Sequence, residues 1–478
     1  MSRDSSTSSR PPLRFRNTLG RALETFEPVF PGEARLYTCG PTVYNHVHIG
    51  NLRTFLWEDF LRRVLRRWGF RVNHVMNLTD IDDKTIRGAV ETGKTLGEFT
   101  APFIDSFFED LRTLRAERAE QYPRATDHIE EMISSIRALA DRGHTYEADG
   151  SIYFRIASFP EYGKLSKIDL SRTRVGERVA NDEYEKEDVK DFVLWKGAKP
   201  GEPESATWDS PFGRGRPGWH IECTAMSMKY LGESFDIHTG AVDNIFPHHE
   251  NEIAQSEGAT QKPFVRYWLH AEHLIVDGEK MSKSKGNFYT LKDLIGRGES
   301  PVAIRYLLLS TPYGTKLNFT FDGLHGAASS VERWRQCLRL LGEVKAEGSG
   351  GGAREASNRF LEKFDAALAD DLNSAAALGE LFSFVRQVND RLASGGMTRS
   401  EAEIYADTLR EPDGLFDVLR EEAAAGPTDA EIDAQVAERQ AARKAREFTR
   451  ADSIRDELAN AGIVLEDTPG GVRWKRKR

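Results

Sequence analysis

Two hydrophobic periods alternate along the first eighty residues. Residues 34–39 form a short apolar run of buried-strand character that stops at Gly40-Pro41. Beyond Asn51, Leu52, Phe55, Leu56, Phe60 and Val64 recur at helical spacing on one face, and 72–77 again reads as a strand. Strand, helix, strand at this spacing predicts a doubly wound parallel sheet, a Rossmann-like α/β fold. Ligands in such sheets sit at the carboxyl ends of the strands.

The pattern changes over 122–217, where a helix (129–142) and short β-like runs (152–155, 192–195) lie among many charges and turns. This stretch is expected to be a domain inserted between the two halves of the nucleotide fold. The sheet is expected to resume with 235–238 and again with 273–276. Past Leu309 the periodicity is helical, and the glycines at 348 and 350–352 mark a linker or hairpin tip. Residues 358–419 read as a helical bundle, and 423–427 as a further boundary. One long helix near 437–458 and a small hairpin over 462–474 are expected to end the chain. The predicted division is a disordered tail (1–12), the first half of the catalytic domain (13–121), the insert (122–217), the second half (218–290), a helical connection (291–347), the bundle (353–425) and a small C-terminal α/β domain (428–478).

A chain of 478 residues exceeds one core and is expected to hold several domains. With 39% hydrophobic and 29% charged residues the composition is that of a globular protein. No apolar run approaches the roughly 20 residues that span a bilayer, and the Ser- and Arg-rich start has no apolar core of a secretory signal. Three cysteines make no disulfide framework, so the expected compartment is the cytoplasm, where thiols stay reduced. The net charge of -9 argues against nucleic acid only as a total, because a local basic face binds phosphate on an acidic protein.

Three groups of residues carry chemistry. His48-Ile-Gly-Asn51 follows a strand and a proline loop and opens a helix, which aims backbone N–H groups at an anion. His48 and Asn51 are the candidate phosphate donors there, with Asn51 also the expected cap. Lys280-Met-Ser-Lys-Ser-Lys-Gly-Asn287 is a loop able to close on a triphosphate, with Lys280 and Lys283 neutralising charge that develops on pyrophosphate. Cys39 and Cys223 together with the run Pro247-His-His-Glu-Asn-Glu252 contain a tetrahedral zinc set of two thiolates, an imidazole and a carboxylate. His248 and Glu252 are four apart and share a helix face if Pro247 starts the helix. The spacing does not choose between His248 and His249, or between Glu252 and Glu250. Cys337, among Trp334, Leu338 and Leu341, reads as a core thiol.

The first two groups resemble the HIGH and KMSKS signatures of class I aminoacyl-tRNA synthetases. The blocks around them, Tyr37-Thr-Cys-Gly-Pro-Thr-Val-Tyr44, Asn77-Leu-Thr-Asp-Ile-Asp-Asp-Lys84, Pro217-Gly-Trp-His-Ile-Glu-Cys223 and Phe246-Pro-His-His-Glu-Asn-Glu252, resemble the cysteinyl-tRNA synthetase family. The likeness runs from about Leu13 to the end, and departs at Asn51, where many relatives carry histidine. It implies ATP-dependent activation of L-cysteine, with Mg2+ accompanying ATP, and transfer to tRNA(Cys). It implies one zinc held by Cys39, Cys223, His248 and Glu252, with Thr79, Trp219 and Asp243 lining the amino-acid pocket, His238 near the nucleotide, and a monomer. Zinc explains the specificity physically. It binds a thiol as thiolate, whereas a hydrophobic pocket separates cysteine from serine by only a few kcal/mol.

Near the C-terminus Arg439, Arg443, Arg446 and Arg450 recur at spacings of four, three and four, opposite Ala441, Ala445, Phe448, Ala451 and Ile454. In a chain with this resemblance the stripe is expected to contact RNA backbone, and Trp474 to stack on an unpaired base. Two other readings are a relative that transfers cysteine to an amino sugar and an idle RNA-binding or zinc-structural module. The first would lack this C-terminal region, and the second would have no need of the intact lysine loop.

Overall fold

In the computed structural model, residues 10–168, 178–179, 191–199, 201–420, 429–445, 447–460, 463–468 and 471–476 are described. The expected N-terminal tail lies almost wholly outside them. The chain divides into two compact units, Met1–Leu419 and Arg420–Arg478.

The centre of the first unit is a four-stranded, wholly parallel sheet in the order Val265–Ala271, Phe235–Ala241, Glu33–Thr38, Arg71–Met76. The order reverses between Glu33–Thr38 and Phe235–Ala241, and that switch point is where doubly wound sheets open a crevice. The helix Ile49–Arg67 crosses from the first strand to the second, and its expected face of Leu52, Phe55, Leu56, Phe60 and Val64 is buried. The chain leaves the sheet after Met76 and re-enters at Phe235. Between them lie the helix Ile129–Asp141 and a smaller sheet built on Ser151–Phe154 and Asp191–Gly197.

Two sheet expectations need correction. The fourth strand is Val265–Ala271, which the sequence reading passed over. Residues Leu274–Val276 belong instead to a separate three-stranded sheet with Glu279–Lys280 and Leu317–Phe319. The reason is local: after Ala271 the chain turns out of the parallel layer, with the Glu272 amide bonded to the Tyr313 carbonyl (2.8 Å), and its next apolar residues pair elsewhere.

Helices Ala353–Ala369, Ser374–Ala393 and Arg399–Arg410 fall where a bundle was expected, and Phe321–Gly342, expected as part of a helical connection, packs with them. Cys337 is fully buried within it, as expected. In the second unit the helices Asp429–Lys444 and Phe448–Asn460 pack with an antiparallel hairpin, Ile463–Thr468 with Gly471–Arg476. Ile432, Val436, Ile454, Leu458 and Ile463 form its core. The hairpin was expected. The single long helix was not correct: it breaks after Lys444, because two short helices folded on one core bury more apolar surface than one rod. Among the described residues no helix is long and apolar enough to cross a membrane.

Candidate active site and metal centre

Cys39 leaves the first strand at the switch point, its amide bonded to the Thr239 carbonyl at 3.3 Å. The next residue has to be glycine, since a Cβ at Gly40 would stand 1.7 Å from the Asn77 carbonyl oxygen. That close approach seats Cys39 against the helix Trp219–Leu231, where Cys223 is fully buried. The two sulfurs are 4.0 Å apart, and both cysteines are free thiols.

The run 248–252 completes the cluster. Cys39, Cys223, His248 and Glu252 place one ligand atom each within 4.8 Å of all the others. His248 Nε2 is 3.1 Å from Glu252 Oε1, which is 4.0 Å from Cys39 Sγ. Around a tetrahedral zinc, ligand atoms stand ~3.3–3.8 Å apart, so modest adjustment of this set admits the ion. A second set, Cys39, His238, His249 and Glu252, satisfies the same spacing.

Both histidines of the run are held from behind. His248 turns its Nδ1 to His220 Nδ1 at 2.9 Å, leaving Nε2 toward the sulfurs, and its ring stacks on the half-exposed Trp219 at 4.1 Å. His249, bonded through Nδ1 to His270 (2.8 Å), which in turn contacts Thr18 (2.8 Å), likewise leaves its Nε2 3.3 Å from Cys39 Sγ. Glu250 is also committed elsewhere: its buried carboxylate accepts the amides of Gly163, Leu165 and Ser166. His238 is wholly buried, 2.9 Å from Glu252 Oε2 and stacked on Trp268. Its alternating strand position points it inward under the cluster.

The electrostatics of the cluster are those of crowded acids. Burial raises both thiols. At Cys223 hydrogen bonds with Cys39 and His248 outweigh it and hold the sulfur well below the usual thiol range, whereas Cys39 is pushed well above. Burial and the charge on Cys223 lift Glu252 far above ordinary carboxylates. The three acids, Cys39, Cys223 and Glu252, repel one another when ionised in a low dielectric, His248 offsets part of that repulsion, and a divalent cation would relieve it. Burial lowers the proton affinity of His238 to about 4 and of His270 to about 3, so these rings stay neutral.

The two elements expected to hold nucleotide pack on each other. His48, not Asn51, caps the helix: His48 Nδ1 accepts the amides of Gly50 (3.1 Å) and Asn51 (3.2 Å), while Asn51 Oδ1 accepts the His48 amide (3.2 Å). Burial keeps the imidazole neutral, partly offset by the charge of the exposed Asp243. A neutral ring that accepts at Nδ1 carries its proton at Nε2, so His48 offers one N–H donor. The lysine loop packs directly on this cap. Phe288 meets the His48 ring edge-on at 5.1 Å, the Ile49 amide donates to the Tyr289 carbonyl at 3.0 Å, and a Cβ at Gly50 would come within 2.8 Å of Met281 Cε. Asn287 Oδ1 accepts the Ser282 amide at 2.8 Å, folding the loop on itself. Lys280 is exposed on the stem, and the Lys283 side chain lies outside the described residues. Thr79 is buried, accepting from Asn77 Nδ2 at 3.0 Å and exchanging backbone bonds with Pro41 and Val43. A separate hollow of about 350 Å³ beside Thr126, Asp127, Glu130, Glu131, Trp208 and Asp209 is lined by carboxylates that repel phosphate.

The expected arginine stripe is not continuous. Arg439 and Arg450 fall on different helices, Arg446 lies outside the described residues, and Arg439 is buried. Arg443 is exposed, and Arg450 pairs with Glu438 at 2.8 Å. Trp474 packs against the small core with its indole N–H on Asp433 (2.8 Å). The exposed aromatic is instead Phe448, 61% accessible, which the sequence reading had placed on the apolar face. The helix break explains the exchange, because it moves Phe448 from mid-helix to a helix start.

Two neighbours of the site, His220 and Phe288, were given no role from the sequence, and His249 and Glu250 entered only as alternatives to His248 and Glu252. Only their nearness to the quoted motifs marked them.

Known proteins give a consistent comparison. Residues 25–329 match the family described as tRNA synthetases class I (C) catalytic domain, 363–420 the DALR domain, and 426–474 the cysteinyl-tRNA ligase anticodon binding domain. A cysteine–tRNA ligase of Solibacter usitatus is 53% identical over 97% of this chain and 100% of its own length, and one of Koribacter versatilis 49% identical over 97% and 100%. Among solved structures, Mycobacterium tuberculosis methionyl-tRNA synthetase in complex with methionyl-adenylate is similar at a TM-score of 0.60. It is 14% identical, covering 80% of this chain and 92% of its own, which is a likeness of fold.

Proposed function

Since the chain belongs to the cysteine–tRNA ligases of the class I aminoacyl-tRNA synthetases, we propose that it selects its amino acid through a zinc ion held by Cys39, Cys223, His248 and Glu252. The observation that carries this reading is the mutual approach of those four ligand atoms within 4.8 Å. The alternative set is less apt. It has one sulfur rather than two, which suits a soft cation less well. Bound there, zinc supplies a soft Lewis acid that prefers the thiolate of cysteine to the hydroxyl of serine.

The chain's own residues do the rest. Trp219, stacked on His248, walls the thiol end of the pocket, and Thr79 fixes the loop across from it. Asp243, exposed beside His48, offers a carboxylate to the substrate ammonium. The cysteine carboxylate attacks the α-phosphorus of ATP, the bond to the bridging oxygen breaks, and pyrophosphate leaves with its Mg2+. His48 Nε2–H and Asn51 Nδ2 donate to phosphate oxygens, while Lys280 and Lys283 balance charge on the leaving group. A hydroxyl of the terminal ribose of tRNA(Cys) then attacks the carbonyl carbon and AMP departs. No side chain forms a covalent intermediate. We place this reaction in the cytoplasm, on a monomer with residues 353–425 and 428–478 on the tRNA side. The purified protein should contain one zinc per chain and catalyse cysteine-dependent, serine-poor exchange of pyrophosphate into ATP. Metal-free protein with full exchange would sink the zinc reading.

For the C-terminal unit we propose that Phe448 stacks on an unpaired anticodon-loop base while Arg443 meets phosphate. Truncation before Thr428 should leave exchange without tRNA intact but weaken tRNA binding and flatten its salt dependence. Each lost phosphate contact lowers the log–log slope by roughly 0.7–0.9. Phe448→Ala should weaken binding with the slope unchanged, because stacking releases no counterions. Equal charging by all three proteins would reduce this surface to a solvated face.

A further inference from the structure

Arg53 lies one turn past the His48 cap, and its guanidinium is 2% exposed. Among the described residues it has no carboxylate within ion-pairing distance. Its Nη1 donates to the carbonyls of Glu272 (2.5 Å) and His273 (3.2 Å), and its Nη2 to those of Pro312 (3.2 Å) and Thr315 (2.5 Å). A buried cation answered only by backbone carbonyls is an expensive way to fill a core, since apolar packing of like volume is commonly as stable or more so. The arrangement makes sense through what those carbonyls belong to.

Glu272 and His273 join the last strand of the parallel sheet to Leu274–Val276. Thr315 stands two residues before Leu317–Phe319, which pairs with Leu274–Val276 in turn. The third strand of that small sheet, Glu279–Lys280, is the stem of the lysine loop, with Lys280 registered opposite Ile275. One turn further along the helix, Trp57 stacks on Tyr313 at 4.3 Å, so the same helix face grips the same segment twice. The far end of the loop is tied independently by the Ile49 amide to the Tyr289 carbonyl.

We infer that Arg53 is a positioning residue of the activation step, its planar fork fixing the sheet that bears Lys280 against the helix that bears His48. Arg53 does not touch substrate. It sets the separation of the two halves of the phosphate site, where an error of about 1 Å is enough to cost ~10²-fold in rate. Lysine cannot replace it, because a single ammonium does not span four divergent carbonyls.

The inference rests on the adenylate-forming reading, and the test separates the two. Full-length, zinc-loaded wild type, Arg53→Lys and Arg53→Met are compared in pyrophosphate exchange, with active sites counted by a burst of adenylate and with zinc content and Tm measured alongside. Absence of exchange in the wild type would refute the functional reading itself. The expected result is a kcat per active site lowered ~10–10²-fold in both variants. Zinc content and the KM for cysteine should hold near the wild-type values, because the metal cluster lies on other elements. Unchanged kcat per active site with a lowered Tm would overturn the inference, as would full activity in Arg53→Lys. Failure of both variants to fold would also count against it, showing that Arg53 serves the core alone.

Discussion

Cysteine activation by a Cys223→Ser enzyme is expected to fall at least ~10²-fold in kcat/KM, and its preference for cysteine over serine to shrink to the roughly 10–200-fold that pocket shape alone supplies. Cys223 is the sulfur that the cluster holds as thiolate, through its hydrogen bonds with Cys39 and His248. A serine hydroxyl in its place stays protonated and binds zinc poorly, so the variant should also lose metal on dialysis against a weak chelator. Cys337→Ser, a change in the bundle core, should lower stability and leave zinc content untouched. Retention of one zinc and of full discrimination in Cys223→Ser would return His249 and His238 to consideration as ligands.

Lys283→Ala should slow adenylate formation by at least ~10²-fold, since its charge is needed most as pyrophosphate departs. Cysteine affinity, which on the proposed reading depends on the Cys39–Cys223–His248–Glu252 cluster, should barely move, and zinc content should not change. The comparison with Lys280→Ala is informative because Lys280 sits on the strand stem rather than in the loop. Stopped-flow quenching of a single turnover separates chemistry from product release. An unchanged single-turnover rate in Lys283→Ala would show that the loop acts only in binding.

The parallel sheet, the terminal hairpin and the residues that cluster at Cys39, Cys223, His248 and Glu252 were legible because each rests on local signals. Examples are the apolar face from Leu52 to Val64, the glycine after Cys39 and the four-residue step from His248 to Glu252. What escaped it depended on tertiary partners. Val265–Ala271 is buried on both faces, so it shows no alternation, while the shorter run that follows it looked equally strand-like and joins another sheet. The break after Lys444 lies in residues of good helix propensity, with no glycine or proline to announce it. The inward turn of His238 and the commitment of Glu250 to a distant loop are likewise properties of neighbours rather than of spacing.

The stretch His248 to Glu252 leaves no side chain idle: two face the sulfurs, His249 reaches His270, Glu250 grips three amides, and Asn251 meets Tyr162. Five consecutive residues therefore read four directions over little more than one turn. An insertion of one alanine within it rotates everything downstream by about 100°, which would trade Glu252 for a neighbour and detach residues 163–166 at the same stroke. Substitutions here are graded injuries. Changes of length are not, and this pentapeptide should be among the segments of the chain least permissive of insertion or deletion.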